Sequence, residues 1–259
     1  MEPTISPALF ALLLFVGMLI LLETGRRLGV RRRPKESESE RSSLGIVESA
    51  VFALFGLMMA FSFSGAAARF GEKRRLIVEE VNCVQTAYLR LHLLPPEAES
   101  ALQELFRRYV DSRLETYRAL PNMQAAELEM AKSKNLQEEI WTQAVSATRL
   151  PNSHPDAGKL LLPALNNMID ITTIRSMALQ VHPPRIIYVL LFCLALICSL
   201  LAGYRMASVQ HPSWLHILSL TVFTVLIIFV TLDIEYPRTG LIRLEAADQL
   251  LVKAREAMK

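Results

Sequence analysis

Apolar positions in this chain gather in four long runs, Ile5–Leu22, Leu44–Ala68, Ile186–Met206 and Trp214–Leu232, set as two pairs about a long and mostly polar middle section. Each run is 18–25 residues long and nearly free of charge, the length an α-helix needs to cross a hydrocarbon core of about 30 Å. The pattern predicts an all-α integral membrane protein. Four transmembrane helices stand in two pairs, with a helical bundle inserted between spans two and three.

The middle section carries a helical period instead of a strand period. Leu76, Val78, Val81, Val84, Ala87, Leu91 and Leu94 recur mostly at three- and four-residue steps, which marks one face of a helix. The second span is therefore expected to run on beyond the bilayer as one helix ending at Pro95–Pro96, softened at Gly65 and Gly71. A helix over Glu97–Leu120 follows, with Leu102, Leu105, Tyr109, Leu114 and Tyr117 inward. Next comes Gln124–Arg149, with Leu128, Leu136, Ile140, Trp141 and Val145 inward. The last is Ala157–His182, with Leu161, Leu165, Met168, Ile171, Ile174 and Ala178 inward; Pro163 falls in its first turns, so regular helix is expected from there. The organisation reads as a first transmembrane pair (1–68), an extramembrane helical bundle (69–183), a second pair (184–234) and a C-terminal tail (235–259).

Composition agrees with a lipid environment: 52% of the 259 residues are hydrophobic, more than a soluble domain of this size usually carries. The net charge of +3 is too small to imply a nucleic-acid partner, and the basic residues speak to topology instead. Seven of them, Arg26, Arg27, Arg31, Arg32, Arg33, Lys35 and Arg41, lie in the loop between the first two spans. Short basic loops stay in the cytoplasm. Both termini and the middle section then lie outside. Arg69, Lys73, Arg74 and Arg75 follow the second span on that outer side and pull the other way, but long domains translocate largely regardless of charge. The N-terminal residues Met1–Pro7 hold no Lys or Arg, so the first run reads as a retained helix instead of a signal peptide.

Catalytic chemistry finds little support. His92, His154, His182, His211 and His216 show no metal-ligand spacing, there is no phosphate loop or dinucleotide fingerprint, and the three cysteines make no disulfide framework. Ser62 and Ser64 read as helix-packing residues, since small side chains let spans approach. The chain is expected to be no enzyme, with no metal and no cofactor. Acids at membrane depth are costly and are functional candidates, so Glu48 is singled out, with hydration at the headgroups or pairing with Arg41 as the plainer reading. With Ser62 and Arg69 it forms the set of pore or ion-contact candidates on the second span. Glu79, Glu80, Asn82 and Arg90 on the extension, and Asn166, Asp170 and Arg175 on the last central helix, make two polar stripes. They read as a hydrogen-bonded network that fixes helix packing or, alternatively, as an ion-contacting site. Asp233 and Arg238 after the fourth span complete the polar candidates, with Glu235 beside them and Arg69 as the expected partner of opposite charge.

Several segments together resemble a known family. Phe61-Ser-Phe-Ser-Gly-Ala-Ala-Ala-Arg-Phe, Arg75-Leu-Ile-Val-Glu-Glu-Val-Asn, Thr86-Ala-Tyr-Leu-Arg, Leu165-Asn-Asn-Met-Ile-Asp and Asp233-Ile-Glu-Tyr-Pro-Arg-Thr-Gly-Leu-Ile-Arg resemble the bacterial bestrophin-like membrane proteins of unknown function, over nearly the whole chain. The resemblance implies a bacterial inner-membrane location and a distant likeness to bestrophins, pentameric anion channels with two spans, a helical section and two more spans. The bestrophin pore signature is not seen. An outer middle section also departs from bestrophins, whose helical section is cytosolic. Two functions follow as expectations. One is a homo-oligomeric channel for inorganic ions with the second span around its axis. The other is a non-conducting scaffold or sensor whose bundle binds a partner.

Overall fold

The computed structural model describes residues 6–32, 36–120, 122–207, 214–236, 241–242 and 244–258. They form α1 (Pro7–Arg32), α2 (Glu38–Leu89), a 3₁₀ turn (Arg90–Leu93), α3 (Pro96–Ala119), α4 (Met123–Ala147), α5 (Ala157–Gln180), α6 (Arg185–Met206), α7 (Trp214–Glu235) and α8 (Glu245–Ala257). No strand occurs among the described residues. Among the described residues four helices are long and apolar enough to cross a membrane.

The chain divides into a membrane unit (Met1–Arg69 with His182–Tyr236) and a bundle unit (Phe70–Val181 with Pro237–Lys259). In the membrane unit α1 packs on α6 and α7, around a core that includes Leu14, Met18, Phe55, Leu191, Ala195 and Ile228. The α1–α6 contact runs through glycine. A Cβ added at Gly25 would overlap the Leu200 carbonyl oxygen, and one at Gly203 would overlap that of Leu22. Backbone meets backbone there, the close approach that small residues permit between spans.

α2 is a single helix of 52 residues, unbroken at Gly65 and Gly71, and the 3₁₀ turn carries it up to the Pro95–Pro96 stop. Pro96 opens α3 because its missing N–H costs nothing in a first turn. Asn122 caps α4, its side chain accepting from the Ala125 amide at 3.2 Å. Helix α5 starts at Ala157 and keeps Pro163 inside it, so regular helix begins six residues earlier than Pro163 led us to expect.

The bundle core joins Val84, Leu91, Leu102, Phe106, Tyr109, Ile140, Leu161 and Leu165. Burying each large side chain of this kind contributes about 2 kcal/mol. Some inward assignments do not hold. Val78, Leu128, Trp141 and Ile174 are exposed. In α4 the buried face runs through Ala126, Ser133, Leu136, Gln137, Ile140 and Ala144; small residues bring α4 close to α3, and Leu128 lies on the opposite side. Residues 245–257, expected only as part of a tail, form α8, whose Leu251 and Ala254 join the bundle core while Arg255 grips Asp111 at 2.8 and 3.0 Å.

Candidate functional site

Within the membrane unit α2 has two unlike faces. One carries Glu48, Phe52, Phe55, Met59, Ser62, Ala66 and Arg69. Glu48, Phe55 and Ala66 are buried and Arg69 is half-buried, so this face turns toward the other spans of the same protomer. The other carries Ser49, Ala53, Gly56, Ala60, Ser64 and Ala67 at steps of three or four. All six are exposed, and a Cβ on Gly56 would meet nothing within 4 Å. Only 11% of α2's apolar window is buried, against 28–39% in the other three candidate spans.

The pore candidates of the sequence therefore sit on the covered face, and the ion-pair members are tied to distant residues. Glu48 faces Arg205 of α6 at 3.4 Å. Arg69 donates through Nε to both oxygens of Glu235, each at 3.0 Å, and through Nη2 at 2.9 Å. Such bidentate, charge-assisted bonds are the strong kind. The Glu235 side chain is 0% exposed, and His182 Nδ1 lies 3.2 Å from its Oε1. The His182 ring stacks on Tyr236 at 4.8 Å. Ser62 is half-buried between the two ends, and Asp233 is buried near the end of α7. Arg238 lies outside the described residues.

The bundle unit brings together Glu80 and Arg175 and leaves the other stripe residues apart. Arg113 Nε donates to Glu80 Oε1 at 2.7 Å, and Arg175 donates to Glu80 Oε2. Tyr117 donates to the same oxygen at 3.0 Å and accepts from Arg113. The Arg175 guanidinium lies 3.6 Å from the Tyr117 ring centre, a cation–π contact. Gln137 extends the cluster to Tyr109 and Thr172, at 3.2 Å each. Burial works to raise the Glu80 carboxyl, but the charges and hydrogen bonds of Arg113 and Arg175 outweigh it and hold it at about 2. Burial pushes Tyr109 up to about 12.

Elsewhere Glu79 pairs with Arg75 at 2.7 Å on the surface. Asn82 is exposed. Arg90 donates to the Leu160 carbonyl at 2.5 Å, and Asn166 bonds Asp170 at 2.9 Å one turn along exposed α5. Two stripes facing each other were expected; α5 instead turns Arg175 inward and Asn166, Asp170 outward. The sequence reading missed Arg113. Its signal is spacing: Tyr109, Arg113 and Tyr117 follow at four-residue steps, so a charge lies in the middle of an aromatic face. Among the described residues no group of three or more His, Cys, Asp or Glu is placed to hold a metal ion.

The family model for the bestrophin-like domain matches residues 11–248. The chain belongs to the bestrophin-like family. The fold agrees with it: the crystal structure of a point mutant of a bacterial bestrophin homologue from Klebsiella pneumoniae superposes with a TM-score of 0.60 at 14% identity, covering 94% of this bestrophin-like chain and 98% of that one. At that identity the likeness concerns the fold alone. No curated protein matches the chain.

Proposed function

We propose that this bestrophin-like protein assembles as a homo-oligomer in a bacterial inner membrane and conducts inorganic ions along the oligomer axis, with α2 around that axis. The observation that carries the reading is the exposed face Ser49–Ala67 on the least covered span. Long apolar side chains suit lipid. A row of Ser, Ala and Gly instead suits either close approach of a second helix or a polar-tolerant wall, because serine hydroxyls and slim side chains leave room for water and ions. In this reading the lining comes from the small-residue face. Glu48, Ser62 and Arg69 act from behind it, the two charges steadied by Arg205 and Glu235. The basic loop between α1 and α2 is cytoplasmic and the bundle lies outside, the arrangement that short basic loops favour. Likeness of fold is by itself a weak warrant for activity; the exposed small-residue face is what supports conduction here.

The test is cross-linking joined to flux. In a background with the three native cysteines replaced by alanine, Ala60→Cys is expected to give a cross-linked dimer with a bifunctional thiol reagent that spans a water-filled axis, a gap wider than the roughly 4.5 Å a direct disulfide bridges. Leu12→Cys, at an exposed position of α1, is expected not to. Proteoliposomes holding the Ala60→Trp variant are expected to lose a salt-gradient-driven dye response that the parent protein gives.

The scaffold or sensor reading has its own support. The bundle exposes Leu128 at 68% and Met177 at 63%, and Trp141 at 36% borders a groove with Lys134, Gln137, Glu138, Thr142 and Ile169. Apolar side chains exposed in this way suit a protein partner. Absence of flux with an intact oligomer favours this reading.

A further inference from the structure

We propose that His182, Glu235 and Arg69 form a proton-operated clasp at the end of the membrane unit, which tightens on acidification. Three chain segments meet on one carboxylate. Glu235 ends α7, Arg69 comes from α2, and His182 stands just ahead of α6. The Glu235 side chain is sealed from solvent, while the His182 side chain is 23% exposed, so solvent protons reach the imidazole and not the acid. Arg69 stays charged at every relevant pH, so its bidentate grip does not change. Histidine is the side chain whose charge ordinarily changes between pH 5 and 8, and His182 is the histidine of this cluster.

A neutral imidazole holds Glu235 through one hydrogen bond at 3.2 Å. A protonated one adds an ion pair, and the Tyr236 ring stacked on it at 4.8 Å favours the cation as well. The opposing charges are Arg69, which bonds the same Glu235 oxygen as His182, and Arg185, which acts on Tyr236. Tyr188 of α6 faces the same cluster and Asp233 is buried near it on α7. His182 bonds the carboxylate directly through Nδ1, so attraction wins. Pro183 and Pro184 transmit the effect. The residue before a proline is restricted to extended backbone, so His182 cannot swing freely while the start of α6 stays still. Gripping His182 steadies the first turn of α6, where the Ile187 amide bonds the Pro184 carbonyl at 3.0 Å.

Hydrogen exchange of the full-length protein in lipid nanodiscs tests this without any need for conduction, so a non-conducting protein leaves the proposal standing. After correction for intrinsic rates, the Ile187 and Tyr188 amides are expected to exchange about fivefold slower at pH 5.5 than at pH 8, the size of one partly exposed ion pair. His182→Gln keeps a hydrogen-bond donor and loses the titration, so its two pH values are expected to agree. Glu235→Gln is expected to abolish the response too. A flat pH response in the parent protein overturns the clasp, and so does a full response retained in His182→Gln.

Discussion

Gly25, Gly29 and Gly203 let α1 and α6 meet backbone to backbone, whereas Ser49, Ala53, Gly56, Ala60, Ser64 and Ala67 give α2 an equally slim face that stays exposed. The same residue chemistry is used up inside the protomer in one place and left over in the other. In lipid, an exposed leucine needs no explanation, because the surrounding chains are as apolar as it is. A run of exposed small residues does: it buries little by itself, and its usefulness is in letting something come close. The filled seam shows that this chain uses glycine for contact. The bare face is what an assembly of further copies would use.

The two faces are expected to respond very differently when each is enlarged in turn. Gly203→Val puts side-chain atoms where the Leu22 backbone already is. Overpacking costs about 1–3 kcal/mol where side chains can give; here the obstacle is backbone, and we expect at least about 3 kcal/mol, read as a lowered thermal-unfolding midpoint in detergent. Gly56→Val meets open space in the protomer. It is expected to leave the protomer's fold intact and to change the mass of the oligomer by light scattering. Equal thermal damage from both variants would erase the distinction.

A second self-contained region sharpens it. The Glu80 cluster is satisfied within the bundle unit, so its chemistry belongs to folding. The Glu80 carboxyl sits at about 2, below the ordinary value of about 4.3. As pH falls, the unfolded chain takes up its proton first. The stability that Glu80 contributes is therefore complete above about pH 4.5 and lost as pH drops toward 2, a loss of roughly 3 kcal/mol. Unfolding of the parent protein across that window is expected to show the slope. Glu80→Gln is expected to flatten it and to start less stable at neutral pH, because two arginines are left beside a neutral amide.

How much of this was legible in the sequence follows from what sets each feature. The spans were legible because lipid demands long apolar runs, and so was the continuation of α2 because Val81, Val84 and Ala87 keep the helical step past Ala68. The covered side of α2 was not legible from depth alone. Glu48 and Arg69 pair with Arg205 and Glu235, which lie 157 and 166 positions away. The inward face of α4 was misread for the opposite reason: hydrophobicity pointed to Leu128, while packing chose Ala126 and Ala144. The Glu80–Arg175 link lay within the predicted polar groups, but the second arginine on Glu80, Arg113, was hidden in a helix rich in surface arginines.

Smaller effects concern orientation and the charged ends of α2. A cysteine at exposed Asn152 in the α4–α5 turn is expected to react with an impermeant thiol reagent in intact spheroplasts; labelling only after lysis would put the bundle inside. Glu48→Gln removes an acid that faces Arg205 and not the exposed row. Flux in proteoliposomes is expected to change by less than about threefold, in line with a pair whose arginine is largely solvated. A complete loss would bring Glu48 to the conduction path itself.

Single-particle imaging of the purified protein in lipid nanodiscs decides where the small-residue face of α2 points. The expected result is a ring of copies with the Ser49–Ala67 face of every α2 turned toward a continuous axial cavity. A monomer, or a ring whose α2 small-residue faces look outward to lipid, would contradict it.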